Sequence, residues 1–172
     1  ELPKDEKEKI ALFCSVHKNN VISMHDVETV YSIPILLNKQ KADQIILKKL
    51  NINSKNPNLL DWKGVVRAKL QPKGETNIAF VGKYTELKDS YKSINEALDH
   101  AGIKNKIKVN INFVEAETIT RRNVKTILKD CDGVLVPGGF GIRGVEGMIN
   151  ACKFARENQI PYLGICLGMQ VA

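Results

Sequence analysis

One stretch decides the fold: Ile160-Pro161-Tyr162-Leu163-Gly164-Ile165-Cys166-Leu167-Gly168, in which a short apolar run leads directly into a cysteine flanked by glycines. The apolar run predicts a buried strand, and Gly-x-Cys-x-Gly after a strand is the thiol form of a nucleophile elbow. Flanking glycines permit the tight, strained turn that such an elbow needs. A helix beginning after Cys166 would place its positive end beside the sulfur and favour the thiolate. The alternative is a buried structural cysteine in a glycine-rich turn.

A second glycine-rich segment, Pro137-Gly138-Gly139-Phe140-Gly141, follows an apolar run at residues 134–136 and precedes a predicted helix. Its backbone amides can face an anion. With the amide of Leu167, directly after the cysteine, the segment would complete an oxyanion hole. By itself it could be a plain turn. Two such loops after neighbouring elements of one sheet form a far more specific pattern.

Strand and helix patterns alternate from Thr76 onward. The segments predicted as strands are residues 78–81, 107–113, 133–136 and 160–165. Between the first two, Tyr91, Ile94 and Leu98 share a helix face that Gly102 is expected to close. This alternation predicts an α/β fold with a doubly wound parallel sheet, whose ligands bind at the carboxyl ends of the strands.

The first 75 residues have a different pattern. Short apolar runs at residues 10–14 and 21–24 predict two buried strands, and helices are expected near residues 34–40, 42–50 and 59–70. The segment Gln71-Pro72-Lys73-Gly74-Glu75 is the predicted interdomain linker. Because the chain begins at Glu1 with a run of charged residues and no signal-like segment, we expect an internal segment of a longer protein.

Composition excludes several classes of protein. The net charge is +7, but the basic residues are scattered and are mostly lysines, which indicates a solvated surface and no nucleic-acid partner. Small acidic ligands such as nucleotides remain compatible with that charge. No apolar run approaches the ~18–20 residues of a membrane helix. The four cysteines form no CxxC pair, so no metal site is expected, and the thiols should stay reduced in the cytoplasm.

The elbow, extended to Met169-Gln170, resembles the nucleophile segment of class I glutamine amidotransferases. The run at residues 136–147, the segment Phe154-Ala155-Arg156-Glu157-Asn158 and Val81-Gly82-Lys83-Tyr84 resemble the CTP synthase family in particular. Residues 9–14 and 21–27 are similar to the end of that family's ligase domain. The resemblance therefore runs through the whole chain in the right order.

The resemblance implies a division into three parts. Residues 1–40 would be the Rossmann-like end of the synthetase (amidoligase) domain, residues 41–75 a helical linker, and residues 76–172 the first part of a truncated glutaminase domain. The implied activity is ATP-dependent amination of UTP to CTP with ammonia from L-glutamine, in a cytoplasmic homotetramer. The resemblance also implies Mg²⁺, with ligands outside these residues, and GTP as allosteric activator.

By position, the resemblance assigns a role to individual residues. Cys166 would be the catalytic nucleophile. The residues that would contact glutamine or its oxyanion are Gly139, Leu167, Gly168, Met169 and Gln170. His25, Asp26 and Val27 would bind ATP, and Lys9 would bind UTP or CTP. Tyr84, Phe140 and Arg143 would belong to a GTP-responsive lid. In the plainer alternative, Asp26 only caps a helix and Lys9 is only a solvated charge.

The same resemblance implies machinery that these residues lack. The histidine and glutamate of the family's triad would follow Ala172, and the ligase P-loop would precede Glu1, so this segment alone should be inactive. Two other readings remain open. One is the glutaminase part of a different amidotransferase-synthetase, against which residues 9–27 argue. The other is a non-enzymatic regulatory module on the same fold, which a reactive Cys166 disfavours.

Overall fold

The computed structural model describes residues 2–83 and 88–172. The chain divides into two compact units, Glu1–Gln71 and Pro72–Ala172. No helix in the described ranges is long and apolar enough to cross a membrane.

The regular secondary structure described in the first unit is all helical. Its helices are α1 (Lys4–Phe13), α2 (Ile33–Lys39), α3 (Ala42–Lys49) and α4 (Leu60–Leu70), with 3₁₀ turns at Lys18–Asn20 and Val30–Ser32. The Trp62 indole N–H donates to the Tyr31 carbonyl at 2.7 Å and so ties α4 to the second of these turns. The predicted helices of this unit are therefore present, with slightly different ends.

The two strands predicted in the first unit are wrong. The apolar run at residues 10–14 completes α1 up to Phe13, with Cys14 as the cap, because the charged residues before it are good helix formers and Asp5 and Glu6 lie in the first turn. The run at residues 21–24 is irregular. The Ser23 N–H donates to the Gln40 side-chain oxygen at 2.8 Å, and the Gln40 amide donates to the Ser23 carbonyl at 2.9 Å. One glutamine side chain thus takes the place of a neighbouring strand.

The second unit is built on a four-stranded parallel sheet. Its strands are β1 (Glu75–Gly82), β2 (Lys108–Glu115), β3 (Gly133–Val136) and β4 (Tyr162–Gly164), in the order β2-β1-β3-β4. Its helices are α5 (Lys92–Asn105), α6 (Val124–Ile127), α7 (Val145–Glu157) and α8 (Leu167–Gln170). The sheet confirms the predicted α/β class.

Alternate residues of the central strands face two separate cores. Ala79 and Val81 of β1 pack with Met148 of α7 on one face. Phe80 packs with Tyr91, and with residues of α5, on the other face. Helices therefore cover both faces of the sheet, as the doubly wound prediction requires.

Gly102 does not end its helix as predicted. Helix α5 continues to Asn105 and closes at Lys106, which takes the left-handed conformation with φ of 59°. The Ile107 N–H then donates to the Gly102 carbonyl at 2.9 Å. A Cβ on Gly102 would lie 2.7 Å from the Ile107 carbonyl oxygen, so the glycine serves close packing of the helix against the chain leading into β2.

Candidate functional site

Cys166 lies in a sharp turn between β4 and α8. Its φ of 54° and ψ of −105° belong to a region that residues with a Cβ rarely adopt. The residue is exposed, at the carboxyl end of the sheet. Such strain persists only where the surrounding structure enforces it, and it is typical of functional sites. The buried structural cysteine considered above is therefore excluded.

The two glycines of the elbow enforce this turn, because neither position has room for a side chain. A Cβ on Gly164 would lie 2.4 Å from the Gly168 carbonyl oxygen. A Cβ on Gly168 would lie 2.0 Å from the Val136 carbonyl oxygen. Helix α8 therefore lies directly against the end of β3, and the Gly-x-Cys-x-Gly spacing is a packing requirement.

The second glycine loop lies beside the thiol. Strands β3 and β4 are paired neighbours, with Val136 opposite Gly164, and the Ile165 N–H donates to the Val136 carbonyl at 2.9 Å. A Cβ on Gly138 would lie 3.4 Å from Cys166 Cβ and 3.9 Å from its Sγ. The structure therefore brings together the two loops that the sequence singled out.

Two backbone amides in these loops are available to a ligand. Within the described ranges, no protein atom accepts a hydrogen bond from the N–H of Gly139 or of Leu167. The two residues are close, since a Cβ on Gly139 would lie 3.5 Å from Leu167 Cδ2. A pair of unpaired N–H groups on the two loops that flank a thiol can stabilise negative charge on a bound carbonyl oxygen.

Tyr162 stabilises the elbow through a hydrogen bond, a role that the sequence did not predict. Its hydroxyl donates to the Gly168 carbonyl at 2.6 Å. Burial, and then the neighbouring Cys152 thiol, raise the pKa of Tyr162 to about 12. The hydroxyl thus remains a donor at neutral pH and fixes one carbonyl of α8. An aromatic residue in a predicted strand gives no sign of this contact.

The other residues predicted around the glutaminase site are less enclosed. Met169 and Gln170 are exposed on α8, while Gly168 is buried. Phe140 is 92% exposed at the tip of its loop. Arg143 donates from its Nε to the Glu117 carboxylate. Tyr84 lies outside the described residues.

The residues predicted to bind nucleotides lie in the first unit, on α1 and in an irregular segment. Lys9 is exposed on α1 and pairs with Glu6 at 3.2 Å. His25 and Asp26 are exposed, and Val27 half-buried, in an irregular segment. Thr29 caps the 3₁₀ turn that follows, so the alternative in which Asp26 caps a helix is wrong.

A cavity of about 520 Å³ in this unit contains none of those residues. It lies between α1, the first 3₁₀ turn and α3. Its charged lining consists of Lys4, Lys7, Glu8, Lys18, Lys41 and Lys48. The cavity is therefore strongly basic, although Lys18 is paired with Glu8 at 3.4 Å. The scattered lysines of the sequence had indicated only a solvated surface.

No group of three or more His, Cys, Asp or Glu side chains within the described ranges could hold a metal ion. The residues present do not fit a Mg²⁺ site, and no chemical step is assigned to a metal here.

Comparison with known families gives two matches that follow one another along the chain. Residues 86–172 match the model of glutamine amidotransferase class-I. Residues 1–52 match the model of the CTP synthase N-terminus. The first match spans half of the chain, and the chain therefore belongs to the class I glutamine amidotransferase family. The second confirms the resemblance to CTP synthases.

A solved structure agrees with both matches. It is described as Trypanosoma brucei CTPS, glutaminase domain with bound acivicin, and is 42% identical with a TM-score of 0.53. The similarity covers 56% of this chain and 38% of that one. The chain thus spans well under half of the relative it matches.

Proposed function

We propose that this chain is part of a glutamine-dependent CTP synthase, in which Cys166 hydrolyses glutamine and the released ammonia aminates UTP at the expense of ATP. The observation that carries the proposal is the strained, exposed Cys166 beside the Gly138–Gly139 loop. The CTP synthase N-terminus match at residues 1–52 selects this reaction over other amidotransferase-synthetases.

The glutaminase step follows from the geometry of the elbow. The Cys166 sulfur attacks the side-chain carbonyl carbon of glutamine, and the carbonyl oxygen becomes an oxyanion that the Gly139 and Leu167 N–H groups stabilise. The general base takes the proton of the Cys166 thiol and gives it to the leaving nitrogen, so collapse of this intermediate breaks the C–N bond, releases ammonia and leaves a thioester on Cys166. Water then hydrolyses the thioester to glutamate and the free thiol. Gly168, Met169 and Gln170 complete the glutamine site.

The general base is not among the described histidines in this proposal. His100 lies in the second half of α5, which runs back toward the amino ends of the strands, and it contacts Glu96. By the resemblance, a histidine and a glutamate beyond Ala172 activate the thiol. The site within this chain supplies the nucleophile and the oxyanion donors.

The ligase half is assigned to the first unit. We propose residues 1–40 as the end of the synthetase domain, 41–75 as the linker and 76–172 as the glutaminase part; the division of the chain after Gln71 supports the start of the glutaminase part. His25, Asp26 and Val27 contact ATP, and Lys9 contacts UTP or CTP. Mg²⁺ is held by residues outside this chain.

Regulation and assembly complete the proposal. Tyr84, Phe140 and Arg143 respond to GTP, and the exposed positions of Phe140 and Arg143 beside the glutaminase loop support this. The assembled enzyme is a cytoplasmic homotetramer.

The test separates the two half-reactions. Cys166→Ala in the full-length protein should abolish glutamine-dependent CTP formation and preserve CTP formation from added ammonia, because the two use different parts of the protein. Cys131→Ala, at a partly buried thiol away from the elbow, is the matched control and should keep both activities. Loss of both activities in folded Cys166→Ala would contradict separate sites, and glutamine hydrolysis without CTP formation in the unsubstituted protein would indicate a different synthetase.

A further inference from the structure

Lys83, directly after β1, is buried to an unusual degree for a lysine. Only 1% of its surface is exposed. Lysine is rarely buried in full, and burial of an ammonium is costly unless its N–H groups find acceptors. Its Nζ donates to the carbonyl oxygens of Phe140 at 2.9 Å and Gly141 at 2.6 Å. The acceptors of this buried cation therefore belong to the glycine loop beside Cys166.

These two hydrogen bonds fix the direction of two consecutive peptide groups. In a trans peptide the C=O and N–H point in opposite directions. Because the carbonyls of Phe140 and Gly141 point inward to Lys83, the N–H groups of Gly141 and Ile142 point away from it. Gly141 has a φ of 73°, which glycine adopts without strain. The ammonium thus determines the direction of the Gly141 and Ile142 N–H groups.

The aliphatic stem of Lys83 also contacts the part of the loop nearest the thiol. A Cβ on Gly139 would lie 3.6 Å from Lys83 Cδ and 3.7 Å from its Cε. Gly139 in turn lies beside Leu167, and Gly138 lies beside the Cys166 sulfur. Lys83 therefore contacts the loop along Gly139, Phe140 and Gly141.

The backbone of Lys83 is itself anchored in the core. The Tyr91 hydroxyl donates to the Lys83 carbonyl. Tyr91 is buried and packs on Phe80, with ring centroids 4.7 Å apart. A lysine held by the core on one side and bonded to a loop on the other is suited to keep that loop in one conformation.

We propose that Lys83 is a positioning residue for the oxyanion loop of the glutaminase. This inference rests on the proposed function. The ammonium holds the loop with the Gly139 N–H directed to the substrate carbonyl, and it places a positive charge behind the loop where the oxyanion forms. Its loss should weaken binding of the transition state much more than binding of glutamine.

The test is Lys83→Met in the full-length protein, with glutaminase kinetics. We expect kcat to fall about 10- to 100-fold, less than the roughly 10²- to 10³-fold loss on removing an oxyanion donor itself, with KM changed by less than about 3-fold. Inhibition by an aldehyde analogue of glutamine should weaken by the same factor as kcat. The Cys166 sulfur adds to the aldehyde carbon and forms a hemithioacetal. The former carbonyl oxygen of this adduct carries either a negative charge or the proton from the thiol, and it occupies the oxyanion position.

Alkylation of Cys166 by iodoacetamide separates positioning from general disruption, because it requires a nucleophilic thiol and no oxyanion donor. Its rate should remain within about 3-fold of the unsubstituted protein. Lys104→Met, at an exposed lysine in the last turn of α5, is the matched control and should leave every value unchanged. If Lys83→Met fails to fold, Lys83→Gln takes its place, with a smaller loss of kcat and an unchanged melting temperature.

Two results would overturn the inference while leaving the proposed function intact. One is an unchanged kcat in folded Lys83→Met or Lys83→Gln. The other is a parallel loss of kcat, iodoacetamide reactivity and thermal stability, which would give Lys83 a purely structural role. An unsubstituted protein without glutaminase activity would instead overturn the proposed function, and this inference with it.

Discussion

The two units of this chain carry their candidate residues in different ways. In the second unit, Cys166 is held in a strained conformation between two glycines that tolerate no Cβ. In the first unit, Lys9 and Asp26 are exposed on a helix and an irregular segment, with no comparable backbone constraint. The position of Cys166 is thus fixed by the backbone of its own unit, whereas the positions of the Lys9 and Asp26 side chains depend on what binds or packs against them. Substitutions should therefore affect the two units very differently.

The largest expected difference in stability is between a glycine-to-alanine substitution in the second unit and one in the first. Gly168→Ala places a Cβ 2.0 Å from the Val136 carbonyl oxygen and should lower the free energy of unfolding by about 3 kcal/mol, with loss of glutaminase activity. Gly64→Ala, in α4 of the first unit, meets nothing within 4 Å and should raise it by about 0.5–1 kcal/mol. Urea unfolding of both variants measures the difference. Equal effects would show that the elbow relaxes more easily than its geometry indicates.

Relief of the backbone strain at Cys166 should have a smaller effect, and it should raise stability. Cys166→Gly should be more stable than Cys166→Ala by about 1 kcal/mol. Glycine adopts the φ of 54° without the strain, which costs about 1–3 kcal/mol in other residues, but part of this gain is offset because glycine loses more chain entropy on folding. Neither variant should hydrolyse glutamine. Thermal melts compare the pair, and a glycine variant no more stable than the alanine variant would mean that the turn is unstrained.

Tyr162 gives an effect of similar or smaller size that depends on pH. Its pKa in the folded protein, about 12, exceeds the ordinary value of 10.0, so the folded state holds this proton more tightly. The contribution of this hydroxyl to the free energy of unfolding is complete below pH 10 and should be lost as the pH rises toward 12. After allowance for partial exposure, the loss should be at most about 1 kcal/mol. Tyr162→Phe should show less of this loss. The difference between the two proteins in urea unfolding at pH 9 and pH 11.5 tests it, and an identical pH dependence would contradict the raised pKa of the hydroxyl.

The smallest effect on stability is expected at Lys9. Its pair with Glu6 is exposed, and such pairs contribute about 0.3–0.5 kcal/mol. Lys9→Met should therefore change the free energy of unfolding by less than about 0.5 kcal/mol while raising the KM for UTP in the full-length protein. Lys7→Met, on the same helix, is a control for the change of charge. An unchanged KM would remove Lys9 from the nucleotide site.

The elbow, its partner loop and the strands of the second unit could be predicted because their signals are local. A glycine on each side of Cys166 and a second glycine loop after a neighbouring strand indicated the elbow and its partner loop. Apolar runs indicated the strands, and the sheet has the predicted class. These features follow from backbone geometry, which residue type determines directly.

Contacts between distant residues were not predictable in this way. The apolar run at residues 10–14 is equally compatible with strand and helix, and the charged residues before it decide for the helix. Gln40 replaces a strand partner for Ser23 through its side chain. Lys83 holds the glycine loop through hydrogen bonds to Phe140 and Gly141, and Tyr162 holds α8 through one to Gly168. No spacing in the sequence marks such contacts.

The central claim is that the backbone, and not exposure alone, makes Cys166 the reactive thiol. Cys14 provides the comparison, because it is also exposed but ends a helix in the first unit with ordinary backbone angles. The direct test is labelling of the full-length protein with a glutamine-like electrophile, followed by peptide mass mapping with and without excess glutamine. We expect label on Cys166, prevented by glutamine, and none on Cys14. Labelling of Cys14 as fast as Cys166, or of Cys166 without protection by glutamine, would contradict the account.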